Sequence, residues 1–76
     1  MPLSERIVTD PDTLGGKPII RGTHLAIEFI LELLASGKAE SEILEEYPGL
    51  THEDILACLS LASRLAHEYK AYPVSA

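Results

Sequence analysis

Ile7-Val8-Thr9-Asp10-Pro11-Asp12-Thr13-Leu14-Gly15-Gly16-Lys17-Pro18-Ile19-Ile20-Arg21-Gly22-Thr23 is the stretch on which the reading of this chain turns. Two short β-branched runs, Ile7-Val8-Thr9 and Ile19-Ile20, flank a segment rich in Asp, Pro and Gly, and that pattern predicts two short strands joined by a turn. Gly15, Gly16 and Gly22 read as conformational residues, placed where the backbone needs positive φ or a close approach. The Gly15-Gly16-Lys17 run is not a phosphate loop. The required order of glycines is absent, and Pro18 removes a backbone donor where such a loop needs a hydroxyl and a helix start.

Beyond the strands, three helices fit the sequence. The first is predicted over residues 25–35, with Thr23 as its cap and Ser36-Gly37 as its stop. Its apolar residues cover more than one stripe and leave Glu28 and Glu32 as a narrow polar line, so it is expected to be buried on several sides. The second is short, residues 40–46, with Ile43, Leu44 and Tyr47 facing inward, and Pro48-Gly49 turns the chain after it. Thr51-His52-Glu53-Asp54 opens the third: Thr51 can accept from a backbone N–H two or three residues on, and the two acids suit the positive end of the helix dipole. This helix is expected to reach Tyr69, with Ile55, Leu59, Ala62, Ala66 and Tyr69 on one face and Cys58, Leu61 and Leu65 beside it. The fold class predicted is α+β, mainly α: a short N-terminal β-hairpin followed by a three-helix, helix-turn-helix-like bundle. A single domain over residues 1–76 is expected, divided into a hairpin segment at 1–24, a helical bundle at 25–72 and a flexible tail at 73–76.

Size and charge narrow the function. A chain of 76 residues supports only a marginal core, so association into a homodimer or higher homo-oligomer is expected. One cysteine, Cys58, makes no internal disulfide, and residues 1–6 lack the apolar run of a signal peptide, which points to a cytoplasmic protein. The longest apolar run is too short to cross a bilayer, and no membrane role is expected. The net charge of −6 lies entirely beyond residue 24, where nine acids face three bases. Such a body is a poor general polyanion binder, because nucleic-acid affinity rests on Lys and Arg neutralising phosphates. A short helix, a tight turn and a second helix nevertheless form the order that presents a helix to the major groove. The would-be reading helix begins with His52, Glu53 and Asp54, where a reader offers Arg, Lys, Asn or Gln.

The elements Asp10-Pro11, Gly15-Gly16-Lys17-Pro18-Ile19-Ile20-Arg21-Gly22-Thr23, residues 28–37, Glu42-Ile43-Leu44-Glu45-Glu46-Tyr47-Pro48 and residues 50–55 resemble the prokaryotic domain-of-unknown-function family 433, DUF433, over about residues 6–65. The resemblance implies a short β-hairpin on a helical bundle and a place among VapB-type, helix-turn-helix-like antitoxins, often encoded beside a PIN-like ribonuclease that they are thought to neutralise. Two positions depart from the family pattern. His24 stands where arginine is common after Gly-Thr, so a cationic contact there would be weaker and pH-dependent. Ala39 stands where a serine usually caps the short helix, with Ser41 two residues on, which predicts a shifted start or a loss of about 0.5–2 kcal/mol.

Candidate site residues follow from these readings. If the hairpin forms, Lys17 and Arg21 gather with His24, and with Arg6 nearby, into a small basic patch, against the plainer reading of solvated strand charges. Together with Thr51 and His52 at the start of the third helix they are the DNA-binding candidates. Glu40, Glu42, Glu45 and Glu46 read first as a solvated helix face and, more sharply, as an acidic surface complementary to a basic RNA-binding groove. The partner-binding candidates are Glu42, Glu45 and Glu46, and Arg64, His67, Tyr69 and Tyr72 toward the C-terminus. His24, His52, His67 and Cys58 have no closed metal-ligand spacing, so neither a metal nor a cofactor is expected. Cys58 reads as a small core residue, and no catalytic residue is assigned. The expected function is that of an antitoxin binding a PIN-like ribonuclease toxin, with operator DNA as a second partner. A stand-alone DNA-binding regulator and a structural oligomerisation module are the alternatives.

Overall fold

The computed structural model describes residues 3–69. Strand β1, Ile7–Thr9, pairs antiparallel with β2, Pro18–Ile20, in the register Ile7 to Ile20, Val8 to Ile19 and Thr9 to Pro18. Three helices follow: α1, Ile27–Ala35; α2, Glu40–Glu46; and α3, His52–Glu68. The architecture is α+β, mainly helical, with a two-stranded hairpin at its N-terminal end.

The loop between the strands is organised by Asp10. Its carboxylate accepts from Asp12 N–H at 2.9 Å and from the Thr13 hydroxyl at 3.1 Å, the short-range bonding for which Asp favours turns. A single 3-10 turn, Leu14–Gly16, then delivers the chain to β2, and its glycines take φ of +67° and +83°, where a Cβ is disfavoured. Leu14 itself sits at φ +51° with its side chain exposed.

After β2 the chain turns back on itself. Thr23 N–H donates to Ile20 C=O at 3.0 Å across a turn in which Gly22 has φ +82°. Ile20 N–H donates to Leu25 C=O at 3.1 Å, and Ala26 bridges Ile19. Residues 25 and 26 are therefore held extended alongside β2, and α1 starts at Ile27 rather than at Leu25. Thr23 is not its cap: the hydroxyl donates to Ile20 C=O at 2.8 Å and accepts from Leu25 N–H at 3.1 Å, closing the turn. The far end of α1 stops as expected. Gly37, at φ +96°, lets Gly37 N–H reach Leu34 C=O at 3.0 Å and Lys38 N–H reach Leu33 C=O at 3.1 Å, the Schellman pattern.

α2 keeps its start at Glu40 despite Ala39, so the shift expected there does not occur. Ala39 supplies no acceptor, and only the reciprocal half of a capping box forms, Ala39 N–H donating to Glu42 Oε1 at 3.1 Å. α3 has both halves: Thr51 Oγ1 accepts from Asp54 N–H at 3.3 Å, and Asp54 Oδ2 accepts from Thr51 N–H at 3.0 Å.

The core is built mainly of isoleucine. Ile20, Ile27, Ile30, Ile43, Leu50, Ile55 and Cys58 are buried together, one contribution or more from β2, each helix and the α2–α3 turn. Phe29 meets Tyr47 edge to face at 5.8 Å. A 3-10 turn at Leu3–Arg6 packs on α3 and ties the N-terminal segment to the last helix. The apolar side of α3 differs from expectation: Leu59, Leu65 and Tyr69 are 45%, 55% and 76% exposed.

Candidate functional site

The residues singled out from sequence do not gather into one site. Lys17 leaves the hairpin and forms an ion pair with Glu28 in the first turn of α1. Glu28, first as hydrogen-bond acceptor and then by its charge, holds the Lys17 ammonium above its ordinary range. Arg21 turns to the other side, donating through Nε to Glu5 C=O at 2.7 Å, while its own N–H donates to Arg6 C=O at 2.8 Å. His24 is exposed. Arg6 donates through Nη1 to Asp54 Oδ1 at 3.1 Å, a partly buried pair. The basic patch expected of Lys17, Arg21, His24 and Arg6 is thus only partly assembled: Arg6 and Arg21 adjoin through their backbones, but Lys17 and Arg6 are each drawn to a carboxylate on a different helix.

At the α2–α3 end, Thr51 is occupied as the cap of α3. His52 Nδ1 lies 2.6 Å from Glu40 Oε2, and that hydrogen bond raises the imidazole above its ordinary value. The acids of α2 are largely engaged within the fold. Glu40 holds His52, Glu42 closes the α2 N-terminus, and Glu46 pairs with Lys38 at 2.6 Å, which raises the Lys38 ammonium. Glu42, Glu45 and Glu46 remain exposed as an acidic shoulder along α2, in which Glu46 is paired with Lys38, and Glu53 is exposed in the first turn of α3. Asp54 does not join it: at 5% exposure it is the buried acid that both caps α3 and takes Arg6. Sequence reasoning gave Asp54 a dipole role only. The Thr51-x-x-Asp54 spacing signals its capping role, but nothing local in the sequence signals Arg6.

Arg64, His67 and Tyr69 are exposed on the last turns of α3, and Tyr72 lies outside the described residues, as does the 73–76 tail. Beside these turns runs an apolar groove of about 190 Å³ between the start of β2, α1 and α3. Pro18, Ile27 and Leu31 form one wall, Leu61 and Leu65 the other, and the Lys17–Glu28 pair lies on its rim. Cys58 is fully buried in the core, and burial, then the charge of Asp54, pushes its thiol up to about 11. Among the described residues no cluster of three or more His, Cys, Asp or Glu is placed to hold a metal, and no helix is long and apolar enough to cross a membrane. Among the described residues the arrangement offers binding surfaces: an acidic shoulder along α2 and an exposed apolar end of α3.

Comparison with known proteins bears on the whole of this fold. A crystal structure of a DUF433 member protein from Anabaena variabilis matches it with a TM-score of 0.76 at 28% identity, over 83% of this chain and 62% of that one. A 51-residue stretch is 35% identical to "Uncharacterized protein y4eO" of Sinorhizobium fredii, strain NBRC 101917 / NGR234, and covers 67% of this chain. The match spans 23% of that relative, about a quarter of its length. The family model described as "Protein of unknown function (DUF433)" matches residues 7–62, from β1 into α3. The chain therefore belongs to the DUF433 family.

Proposed function

We propose that this chain is the antitoxin of a toxin–antitoxin pair, a binding protein without a catalytic cycle that inhibits a PIN-like ribonuclease by stoichiometric association. The identity of the partner comes from the resemblance to VapB-type antitoxins. The observation that carries the reading is the acidic shoulder, where Glu42, Glu45, Glu46 and Glu53 stand exposed on two adjoining elements. A ribonuclease that binds phosphates with Lys and Arg presents the complementary charge, and like-signed surfaces on other proteins are rejected by the same field. Binding there would cover the nuclease groove and fall steeply with salt.

A second reading, repression through DNA, draws on the order α2, tight turn, α3. Its weakness is chemical: Lys17 and His52 are committed to Glu28 and Glu40, and Glu53 would face phosphate.

Co-purification of this chain with the product of the adjacent reading frame, followed by a ribonuclease assay of that product with and without excess of this protein, tests the proposal. The expected result is a complex whose cleavage is suppressed and restored when Glu42, Glu45 and Glu46 are changed to Lys. A neighbour that neither associates nor loses activity would refute it. Salt-sensitive DNA binding lost in Arg21→Ala and Lys17→Ala would then favour the regulator.

A further inference from the structure

We propose that the last turns of α3 form a self-association surface, on which a second copy of this chain packs its own α3 antiparallel, centred near Leu65. This inference specifies an oligomer and stands independently of the antitoxin reading.

α3 has 17 residues, against nine in α1 and seven in α2. At about 1.5 Å per residue it outlasts its neighbours by roughly two turns. Cys58, Ala62, Leu65 and Tyr69 recur at intervals of four, three and four, the spacing of a coiled-coil seam. Cys58 is fully buried in the monomer, Ala62 is half-buried, and Leu65 and Tyr69 are 55% and 76% exposed. The core stripe of the helix therefore continues into solvent. The small side chains of Ala62 and Ala66 permit close approach of a second helix.

Charge selects the occupant and its direction. Around this end Arg64 is matched by Glu68 and Lys17 by Glu28, with Glu32 a further acid near Lys17, whereas the larger acidic excess sits on the shoulder formed by α2 and the start of α3. A basic partner would be drawn to that shoulder, whereas a locally neutral apolar stripe suits its own copy. Arg64 and Glu68 lie one turn apart on the same flank of the stripe. Antiparallel pairing about a two-fold axis sets like flanks side by side, so Arg64 meets Glu68 of the partner subunit and the reciprocal pair forms with it. Parallel pairing would set Arg64 against the Ala66 flank and leave both charges unmatched. The antiparallel arrangement also places Tyr69 of the partner subunit over Leu61, at the apolar groove.

The test is sedimentation analysis of the full chain over a range of concentrations, with variants at exposed positions and circular dichroism to check the fold. The wild type is expected to be a dimer, and Leu65→Glu to raise its dissociation constant about tenfold or more. Arg64→Glu should weaken the dimer, and Arg64→Glu combined with Glu68→Arg should restore it. Under mild oxidation Leu65→Cys should give a disulfide-linked dimer, and Ser60→Cys, exposed on another side of α3, should not. A monomer at every concentration overturns the proposal, as does a dimer untouched by Leu65→Glu or cross-linked equally through Ser60→Cys. A monomeric wild type whose Leu65→Glu variant loses the neighbouring gene product instead would assign the face to a different protein.

Discussion

Arg6 and Asp54, 48 residues apart in sequence, are joined by a hydrogen bond of 3.1 Å from Nη1 to Oδ1, and the other carboxylate oxygen of Asp54 accepts from the backbone of Thr51 at 3.0 Å. One carboxylate thus fixes the start of α3 and anchors the N-terminal segment to it. Asp54→Ala removes both bonds and strands a partly buried guanidinium whose Nε already has no partner. The expected loss is about 2–4 kcal/mol by urea denaturation. Arg6→Ala should cost less because the α3 cap survives, and a double-mutant cycle should show the two residues strongly coupled.

Ala39 offers a gain. It occupies the N-cap of α2 at φ −76° and ψ 150°, the extended geometry a capping side chain uses, but has nothing to accept with. Ala39→Ser should complete the capping box with Glu42 and stabilise the fold by about 0.5–2 kcal/mol, read as a higher urea midpoint.

Gly22 can be tested by sign. A Cβ there meets nothing within 4 Å, so the cost of Gly22→Ala comes from its φ of +82° alone. A loss of about 1–2 kcal/mol is expected, with Gly22→Asn milder because Asn tolerates the left-handed region better. Equal stability of the alanine variant would show that the turn had rearranged.

The His52–Glu40 pair makes stability depend on pH. The imidazole titrates higher folded than unfolded, so its contribution is complete below the unfolded value of 6.5 and is lost as pH rises through the higher folded value. Glu40→Gln should flatten this dependence from near pH 6.5 upward and return the His52 NMR titration toward its ordinary midpoint.

Local chemistry made much of this fold legible. The β-branched runs mark β1 and β2, Pro48-Gly49 separates α2 from α3, Ser36-Gly37 ends α1, and Cys58 reads correctly as core. What escaped depends on distant contacts. Thr23 before an apolar run has the form of a helix cap, and only the pairing of residues 25 and 26 with β2 reassigns it to a turn. The charges of Lys17 and Arg6 are plain in the sequence, but their partners Glu28 and Asp54 lie on other elements, so a patch drawn from sequence proximity is only partly kept in the structure. Periodicity put Tyr69 on the face that continues the core and Leu65 beside it, and it carries no information on whether anything covers them.

The Arg6–Asp54 link also bears on how the chain is made. The N-terminal segment leaves the ribosome first but finds its charge partner, and the Ile55 and Cys58 side chains that close the core over Ile20, only after most of the chain has been synthesised. Until then the hairpin is an apolar fragment with little to hold it, and a nascent chain stalled before Asp54 would be open to proteases. Whatever partner it serves, this fold becomes available to it only once the residues through Cys58 have been made.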